Sequence, residues 1–255
     1  MKQFYSRIIK NQALTKDFFE LHFEWDTSAK DPIPGQFLTI RISNESVPLL
    51  RRPFALSGFD KEKNRASIIY QRRGIATSIL TSKQPDDMVD IIAPLGNPFP
   101  VTNISGKTVL VAGGVGLGPM VFLCQFLEKN GGSPLFVFGA RTSSLLPDTA
   151  EFCQTAPAIC TDDGSQGYKG NCIEYLSSEQ KDLSGCAFFG CGPEPMLKAL
   201  HQLALKTNSD CFVSVEQVMA CGVGACMGCV VKTNQGYQRA CKEGPVFKSK
   251  DIIWE

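Results

Sequence analysis

The sequence predicts an N-terminal antiparallel Greek-key β-barrel, a Rossmann-like parallel α/β sheet domain and a small cysteine-rich subdomain. Three observations predict this architecture. Short strands separated by proline and glycine turns occupy roughly the first hundred residues. Buried strands then alternate with helices, as in βαβ units. Four closely spaced cysteines follow near the end of the chain. We place the domains at residues 1–101, 102–213 and 214–255.

In the first domain, residues 37–42 alternate partly between apolar and polar side chains, and residues 66–71 are rich in β-forming residues. Turns such as Pro34-Gly35 and Ser57-Gly58 separate these strands. The single helix expected here, over residues 75–82, is short. Little helical periodicity and many turns favour an antiparallel barrel.

In the second domain, the apolar strand 109–112 leads into a glycine-rich turn at 113–118 and then into a helical pattern that ends at Gly131-Gly132. The same alternation continues with strands at 135–138, 186–189 and 212–215 and a helix over 195–206. Alternating strands and helices predict a parallel sheet with crossover helices.

Composition excludes several classes of protein. The formal net charge of +1, without a basic stripe, disfavours nucleic acid or an anionic membrane as the main partner. No apolar run of about 18 residues occurs, and we expect no secretory leader, because residues 1–10 lack its apolar region. The eleven cysteines are odd in number and four form one constellation, which favours a reducing cytoplasm over a disulfide scaffold. We therefore expect a cytoplasmic protein.

The four tail cysteines have the spacing of a plant-type [2Fe–2S] ligand set. Three of them follow C-x4-C-x2-C, and the fourth comes later. The intervening glycines permit positive φ, so that backbone amides can turn towards the sulfurs. Zinc is the alternative, but it prefers two C-x2-C pairs or mixed Cys/His ligands, and no histidine is near. The predicted cluster ligands are Cys221, Cys226, Cys229 and Cys241.

The other cysteines and both histidines, His22 and His201, are interpreted as structural. A catalytic site built on a histidine base is therefore not expected, and no catalytic residue is assigned. The cysteines in this group are scattered through mostly apolar segments: Cys124, Cys153, Cys160, Cys172, Cys186, Cys191 and Cys211.

Two turns of the second domain are candidates for binding a dinucleotide. Glycines in the first let the backbone approach a pyrophosphate, although Pro119 stands where the third Rossmann glycine is expected, and a tight structural turn remains possible. In the second, Cys191 either lies against a nicotinamide or fills a turn at the carboxyl end of its strand. A loop at 161–165 either touches a ribose or is an acidic turn. The candidate residues are Gly114, Gly116, Gly118, Cys191, Gly192 and Pro193.

Two segments of the barrel are candidates for binding a flavin. In Arg51-Arg52-Pro53-Phe54-Ala55, an arginine can hold a phosphate and the aromatic side chain two residues along lies on the same face. The alternative is a solvated arginine pair beside a core phenylalanine. Residues 74–78 begin a helix whose free amides can bind phosphate oxygens, or which is simply a capped helix.

The order of these motifs resembles the ferredoxin–NADP reductase superfamily. Along the chain come Arg-Pro-Phe, Gly-x-x-Thr, Gly-Gly-Val-Gly-Leu-Gly-Pro and Cys-Gly-Pro-x-x-Met. The tail, with Arg239-Ala-Cys241-Lys-Glu-Gly-Pro245-Val-Phe before Trp254, resembles more narrowly the electron-transfer subunits of dihydroorotate dehydrogenase B. The resemblance covers essentially the whole chain.

The resemblance implies FAD on the barrel, NAD on the α/β domain and the [2Fe–2S] cluster in the tail. Two departures stand out: Ala55 replaces a serine or threonine, and Gly74-Ile-Ala-Thr77 lacks the lysine of Gly-Lys-Gly-Thr. The spacing to the last cysteine also differs from that of a plant ferredoxin. The flavin residues that the resemblance implies are Arg52, Pro53, Phe54 and Ala55 at the flavin and Gly74, Ala76 and Thr77 at its phosphates.

The implied function is electron transfer from the FMN of a catalytic subunit, through the cluster and FAD, to NAD+, in pyrimidine (UMP) biosynthesis. The resemblance also implies a heterotetramer of two catalytic and two electron-transfer subunits. One alternative is an NAD(P)H-dependent reductase subunit of a sulfur- or ferredoxin-linked complex, and a remote one is a zinc-stabilised nucleotide-binding regulator. Arg141 is either a contact for a 2′-phosphate or an ordinary loop arginine, so the preference for NAD over NADP rests on the resemblance.

Overall fold

The computed structural model describes residues 1–43, 45–102, 106–180 and 182–255. Seven antiparallel strands form the first sheet in the order β4-β3-β7-β1-β2-β6-β5, and one helix follows β6 in the chain. The elements are β1 (Lys2–Ala13), β2 (Phe18–Glu24), β3 (Phe37–Arg41), β4 (Arg52–Ala55), β5 (Gly58–Asp60), β6 (Arg65–Gln71), α1 (Ile75–Ser82) and β7 (Met88–Leu95).

This sheet curls until β4, at one edge, meets β6 near the other. The rings of Phe54 on β4 and Tyr70 on β6 touch edge to face, with centroids 5.9 Å apart. Along β3 the side chains alternate, because successive residues of a strand point to opposite faces. Leu38 and Ile40 pack into the barrel core, whereas Phe37 packs against residues of the second domain. The predicted barrel is confirmed.

The second sheet has the order β11-β10-β9-β8-β12-β13-β16, parallel except for its last strand. Its first strand in the chain, β8, lies in the middle, so the strand order reverses between β8 and β12. The carboxyl ends at such a reversal are where ligands bind in open α/β sheets. The elements are β8 (Thr108–Gly113), α2 (Leu117–Lys129), β9 (Leu135–Ala140), β10 (Ala158–Thr161), β11 (Tyr168–Lys169), α3 (Cys172–Glu179), β12 (Ala187–Cys191), α4 (Glu194–Lys206) and β13 (Asp210–Ser214).

The tail forms a two-stranded hairpin of β14 (Val230–Thr233) and β15 (Gly236–Arg239), followed by β16 (Val246–Lys248). Strand β16 pairs antiparallel with β13 and so becomes the edge of the second sheet. On its other side, the tail contacts the segment after β7, where the amide of Asn97 donates to the carbonyl of Gly244 at 2.6 Å. The tail is therefore bonded to both larger domains.

Two other expectations concern the histidines and the membrane. His201 is buried on α4, where Nδ1 lies 3.0 Å from Ser249 Oγ and the ring stacks on Trp254, so its surroundings are those of a structural residue. His22 Nε2 lies 2.9 Å from a carboxylate oxygen of Glu20. Among the described residues, no helix combines the length and apolarity needed to cross a bilayer.

Candidate functional site

The main cleft lies between the barrel, the second domain and the start of the tail. Pro53, Phe54 and Ala55 line it from β4. Cys191 lines it from the end of β12, and Met219, two residues before the first cluster cysteine, lines it from the tail. The fold therefore brings three predicted flavin residues and one predicted nicotinamide residue onto a single cleft.

The barrel side of this cleft is an aromatic wall. Tyr70 backs Phe54, and its hydroxyl donates to Asn11 Oδ1 at 2.9 Å. Burial raises the pKa of Tyr70, although the bond to Asn11 opposes this, so the phenol stays neutral. A mostly apolar surface with aromatic side chains is complementary to an aromatic ring system such as isoalloxazine.

Sequence reasoning did not single out Tyr70, Arg73 or Glu216, which also line the cleft. A signal was present for two of them. Arg73 directly precedes the glycine that starts α1, and Glu216 follows the carboxyl end of β13, the edge of the sheet at which ligands bind.

The two adjacent arginines of the flavin motif have different surroundings. Arg51 is mostly buried and bonds Asp90 twice: Nη1 donates to the backbone carbonyl at 2.9 Å and Nη2 to the carboxylate at 2.5 Å. Arg52 donates from Nη1 to the carbonyl of Leu50 at 2.6 Å and does not line the cleft. Arg51 is thus held within the barrel, while Arg52 carries no carboxylate partner among the described residues.

The predicted phosphate-binding residues lie at the start of α1. Thr77 Oγ1 accepts hydrogen bonds from the amides of Arg73 at 2.9 Å and Gly74 at 3.2 Å. Ala76 is buried beneath this turn, and a Cβ atom added at Gly74 would touch nothing within 4 Å. None of these three predicted residues lines the main cleft itself, but Arg73 does, so the open helix start lies next to the cleft.

A second pocket lies at the switch between β8 and β12. Gly114 and Pro193 line it, together with Arg141 and Asp162. The two candidate turns touch there, since a Cβ added at Gly116 would overlap the carbonyl oxygen of Cys191. The pocket offers a ribose both a guanidinium and a carboxylate.

The remaining members of the two turns have mainly packing contacts. A Cβ at Gly192 would lie 3.0 Å from the Cα of Gly113, which joins the turns at a second point. A Cβ at Gly118 would lie 3.5 Å from the Cβ atoms of Ser57 and Ile69, so this glycine is where α2 meets the barrel.

The four tail cysteines form two pairs. Cys221 and Cys226 interact through their thiols, as do Cys229 and Cys241. Within the described ranges, no three of these four sulfurs lie within 4.8 Å of one another, as the ligands of one tetrahedral zinc ion would. Two pairs of thiolates are the donor set that a [2Fe–2S] cluster requires, two for each iron.

The two pairs differ in exposure, and the pKa of one thiol in each pair is shifted in opposite directions. Cys226 is exposed, whereas Cys229 and Cys241 are buried. Burial would raise the pKa of Cys221, but hydrogen bonds from the backbone of Val223, the Cys226 thiol and further amides lower it to about 6. Burial and the neighbouring Cys229 thiol raise the pKa of Cys241 to about 12. Cys221 is therefore prepared to bind metal as thiolate, whereas Cys229 and Cys241 are shielded from solvent.

The cluster loop packs against the same strand that lines the flavin cleft. Phe37 on β3 lines the cleft. Thr39 lies two residues further along β3, on the same face. Its methyl group would be 2.8 Å from a Cβ added at Gly222, in the cluster loop. Since a strand rises about 3.3 Å per residue, the cleft and the loop are neighbours along the strand.

The remaining cysteines are buried, except for the half-buried Cys153. Cys153 and Cys124 lie beside Glu128, within 4.8 Å of one another by their donor atoms. The Glu128 carboxylate accepts hydrogen bonds from the amides of Gln154 at 3.2 Å and Thr155 at 2.7 Å, so it holds this loop to α2.

Known proteins are similar to this chain along almost its whole length. A family model described as "Iron-sulfur cluster binding domain of dihydroorotate dehydrogenase B" matches residues 216–253. The chain is 32% identical over 259 residues to "Dihydroorotate dehydrogenase B (NAD(+)), electron transfer subunit" of Geobacillus sp. (strain WCH70), covering 99% of each chain. It is 35% identical over 252 residues to the protein of the same name from Geobacillus thermodenitrificans (strain NG80-2), covering 96% of each.

Among solved structures, one described as "Insights into flavin-based electron bifurcation via the NADH-dependent reduced ferredoxin-NADP oxidoreductase structure" is 28% identical, with a TM-score of 0.85 over 98% of this chain and 90% of the other. The phthalate dioxygenase reductase structure has a TM-score of 0.65 at 18% identity, covering 98% of this chain and 96% of the other, and shows the same fold.

Proposed function

This chain belongs to the family of dihydroorotate dehydrogenase B electron transfer subunits, and we propose that it passes electrons through a [2Fe–2S] cluster and FAD to NAD+. It is an oxidoreductase subunit, and the name of the family implies a catalytic partner that oxidises dihydroorotate. We assign the partner's FMN as the electron source, and pyrimidine (UMP) biosynthesis as the pathway.

The observation that supports this proposal most strongly is the arrangement along β3. Phe37 faces the cleft and Thr39 faces the cluster loop, while Met219 connects the cleft to Cys221 through two residues of chain. A flavin held by the cleft residues and a cluster held by the tail cysteines would lie near one strand, so that electron transfer between them would need no movement of the chain. This arrangement suits a route from cluster to flavin.

The chain's own residues bind and orient the redox groups. A bound flavin supplies the exchange between single electrons and a hydride. We propose that Pro53, Phe54 and Ala55 hold its ring, with Arg52, Gly74, Ala76 and Thr77 at the phosphates. For NAD we propose Gly114, Gly116, Gly118, Gly192 and Pro193, with Cys191 beside the nicotinamide; burial raises the pKa of Cys191 and keeps this thiol neutral. The cluster ligands are Cys221, Cys226, Cys229 and Cys241.

The assembly that we propose is a cytoplasmic heterotetramer of two catalytic and two electron-transfer subunits. The exposure of Cys226 supports a partner that docks near the outer pair of ligands, because electrons entering there would have the shortest path through the protein surface. The three domains proposed from the sequence, 1–101, 102–213 and 214–255, would then carry FAD, NAD and the cluster in that order.

The test removes the exposed ligand. We expect Cys226→Ala to lose the cluster's visible absorption, its paramagnetic signal after dithionite reduction and NAD+ reduction driven by the catalytic partner with dihydroorotate. The control is Cys153→Ala, a half-buried thiol outside the tail, which should retain all three. Retention of the signal and of the activity by Cys226→Ala would refute the ligand assignment.

A second candidate function is a reductase subunit that serves a ferredoxin-linked complex. It is favoured by the likeness in fold and sequence to the reduced ferredoxin–NADP oxidoreductase structure. The two functions differ in their electron donor. Turnover of dihydroorotate by the chain reconstituted with its catalytic partner, compared with turnover of reduced ferredoxin by the chain alone, separates them.

A further inference from the structure

An arginine outside the four cysteines reaches into the cluster loop. Arg239, the last residue of β15, donates from Nη1 to the carbonyl oxygen of Gly224 at 2.5 Å. Its other nitrogens are held by Glu243, with Nε 2.9 Å from one carboxylate oxygen and Nη2 2.5 Å from the other. The same carboxylate also accepts a hydrogen bond from the backbone amide of Arg239 at 2.8 Å. The two hydrogen bonds from the guanidinium to the Glu243 carboxylate, here called the fork, fix the guanidinium in one orientation.

The peptide that Arg239 grips also contacts a cluster ligand. The carbonyl of Gly224 and the amide of Ala225 belong to one planar peptide unit, in which C=O and N–H point in opposite directions. The Ala225 amide donates to Cys221 Sγ at 3.3 Å. A single peptide therefore has the guanidinium at its oxygen and the cysteine sulfur at its hydrogen.

The orientation of this peptide is not determined by the loop alone. Gly224 has a φ of +84°, a conformation open to glycine and rarely adopted by other residues. Glycine also allows many alternatives, so an external contact is needed to select one. The side chain of Lys242 covers Gly224, with its Cδ 2.7 Å from the position of an added Cβ, but the hydrogen bond to the carbonyl comes from Arg239.

We propose that Arg239 is a positioning residue for the cluster, acting through the 224–225 peptide on Cys221. By holding the carbonyl it aims the amide at the sulfur, and by polarising the peptide it strengthens that hydrogen bond. Hydrogen bonds to ligand sulfurs stabilise the more negative, reduced cluster and raise its reduction potential. Glu243 serves this role by fixing the guanidinium. The proposal rests on the cluster of the proposed function.

The experiment separates the hydrogen bond from the positive charge. Arg239→Lys keeps the charge and loses the fork, whereas Lys242→Met removes a neighbouring charge and leaves the fork intact. Glu243→Gln keeps the arginine but weakens the paired hydrogen bonds that orient its guanidinium. Each full-length variant is purified anaerobically, assayed for iron and sulfide, and titrated potentiometrically while its paramagnetic spectrum is recorded.

We expect Arg239→Lys to lower the reduction potential and alter the g-values, Glu243→Gln to do both to a smaller extent, and Lys242→Met to retain the wild-type spectrum. If Arg239→Lys does not assemble a cluster, the reduction potential and g-values of Glu243→Gln test the proposal. The proposal would be overturned if those variants of Arg239 and Glu243 that assemble a cluster kept the wild-type reduction potential and spectrum. It would also be overturned if Lys242→Met shifted the reduction potential as much as Arg239→Lys. A wild-type protein that never assembles a cluster would instead refute the proposed function.

Discussion

Gly116 lies directly against the carbonyl of Cys191, so the turn after β8 and the turn after β12 are in backbone contact. A Cβ at Gly116 would overlap that oxygen and would lie 2.9 Å from the amide nitrogen of Gly192. Its φ of −61° is open to any residue, so glycine is required here for space and not for backbone freedom.

Gly116→Ala should therefore separate the two turns. Overpacking of this kind costs about 1–3 kcal/mol, and a backbone oxygen yields less readily than a side chain. We expect a lower thermal midpoint and weaker reduction of the flavin by NADH. Gly118→Ala, whose added methyl would meet only ordinary contacts at 3.5 Å, is the control for stability. Equal midpoints for the two variants would contradict the prediction.

The neighbouring arginines should differ in what they support. Arg51→Met leaves the buried Asp90 carboxylate without its cation, which we expect to cost on the order of 3 kcal/mol in unfolding free energy. Arg52→Met should lower FAD affinity, measured by release on dilution, and leave the apoprotein's unfolding midpoint within experimental error. The assignment of Arg52 fails if its replacement destabilises the apoprotein and leaves flavin affinity unchanged.

The stability of the protein should decrease as His201 is forced to take up a proton. Burial lowers the pKa of His201 below its ordinary value of 6.5. The unfolded chain then binds the proton more readily, so this contribution to stability is complete above pH 6.5 and is lost as the pH falls from 6.5 towards the lowered pKa.

The measurement compares thermal midpoints at pH 7.5 and pH 5.5. The drop should be smaller in His201→Gln than in the wild type, because the glutamine has no proton to take up. If the thermal midpoint of His201→Gln fell as far as that of the wild type, His201 would not contribute to the pH dependence of stability.

Thr39 carries a buried hydroxyl that has no hydrogen-bond partner among the described residues. An unsatisfied buried hydroxyl costs about 1–3 kcal/mol, and valine has the same shape without it. In the apoprotein we expect Thr39→Val to be neutral or stabilising by thermal unfolding. Thr39→Ala, which opens a cavity beside Gly222, should be destabilising. Clear destabilisation of the apoprotein by Thr39→Val would show that the hydroxyl has a partner there.

Much of the architecture follows from local sequence. The glycine-rich turn, the apolar strand before it and the helical spacing after it are found at β8, at Gly114–Gly116 and in α2. The long strand β1 was not predicted, because its buried face includes the polar Ser6 and its exposed face the aromatic Tyr5, which obscures the alternation. The pairing of β16 with β13 was also missed: a three-residue strand has too little periodicity to be recognised.

A site residue was predictable where its residue type and spacing have few known roles. It was less predictable where its role depends on contacts that only the folded chain makes. Four cysteines at this spacing serve few purposes besides binding a cluster, and the structure brings them together in pairs. The roles of Arg51 and Arg52 could not be separated by sequence, because which one meets Asp90 depends on strand pairing far along the chain. Arg239 was noted only as part of the tail motif, and its contact with Gly224 could not be predicted because it depends on how a loop folds back.

The attachment of β16 to β13 has a consequence for truncated forms of the protein. Removing the chain after β13 would uncover a full row of peptide groups along that strand, which now bond to β16. Bare strand edges are templates for pairing with other molecules, so such a fragment should self-associate. The segment that carries the cluster thus also shields the sheet from aggregation, and its loss would harm solubility as well as electron transfer.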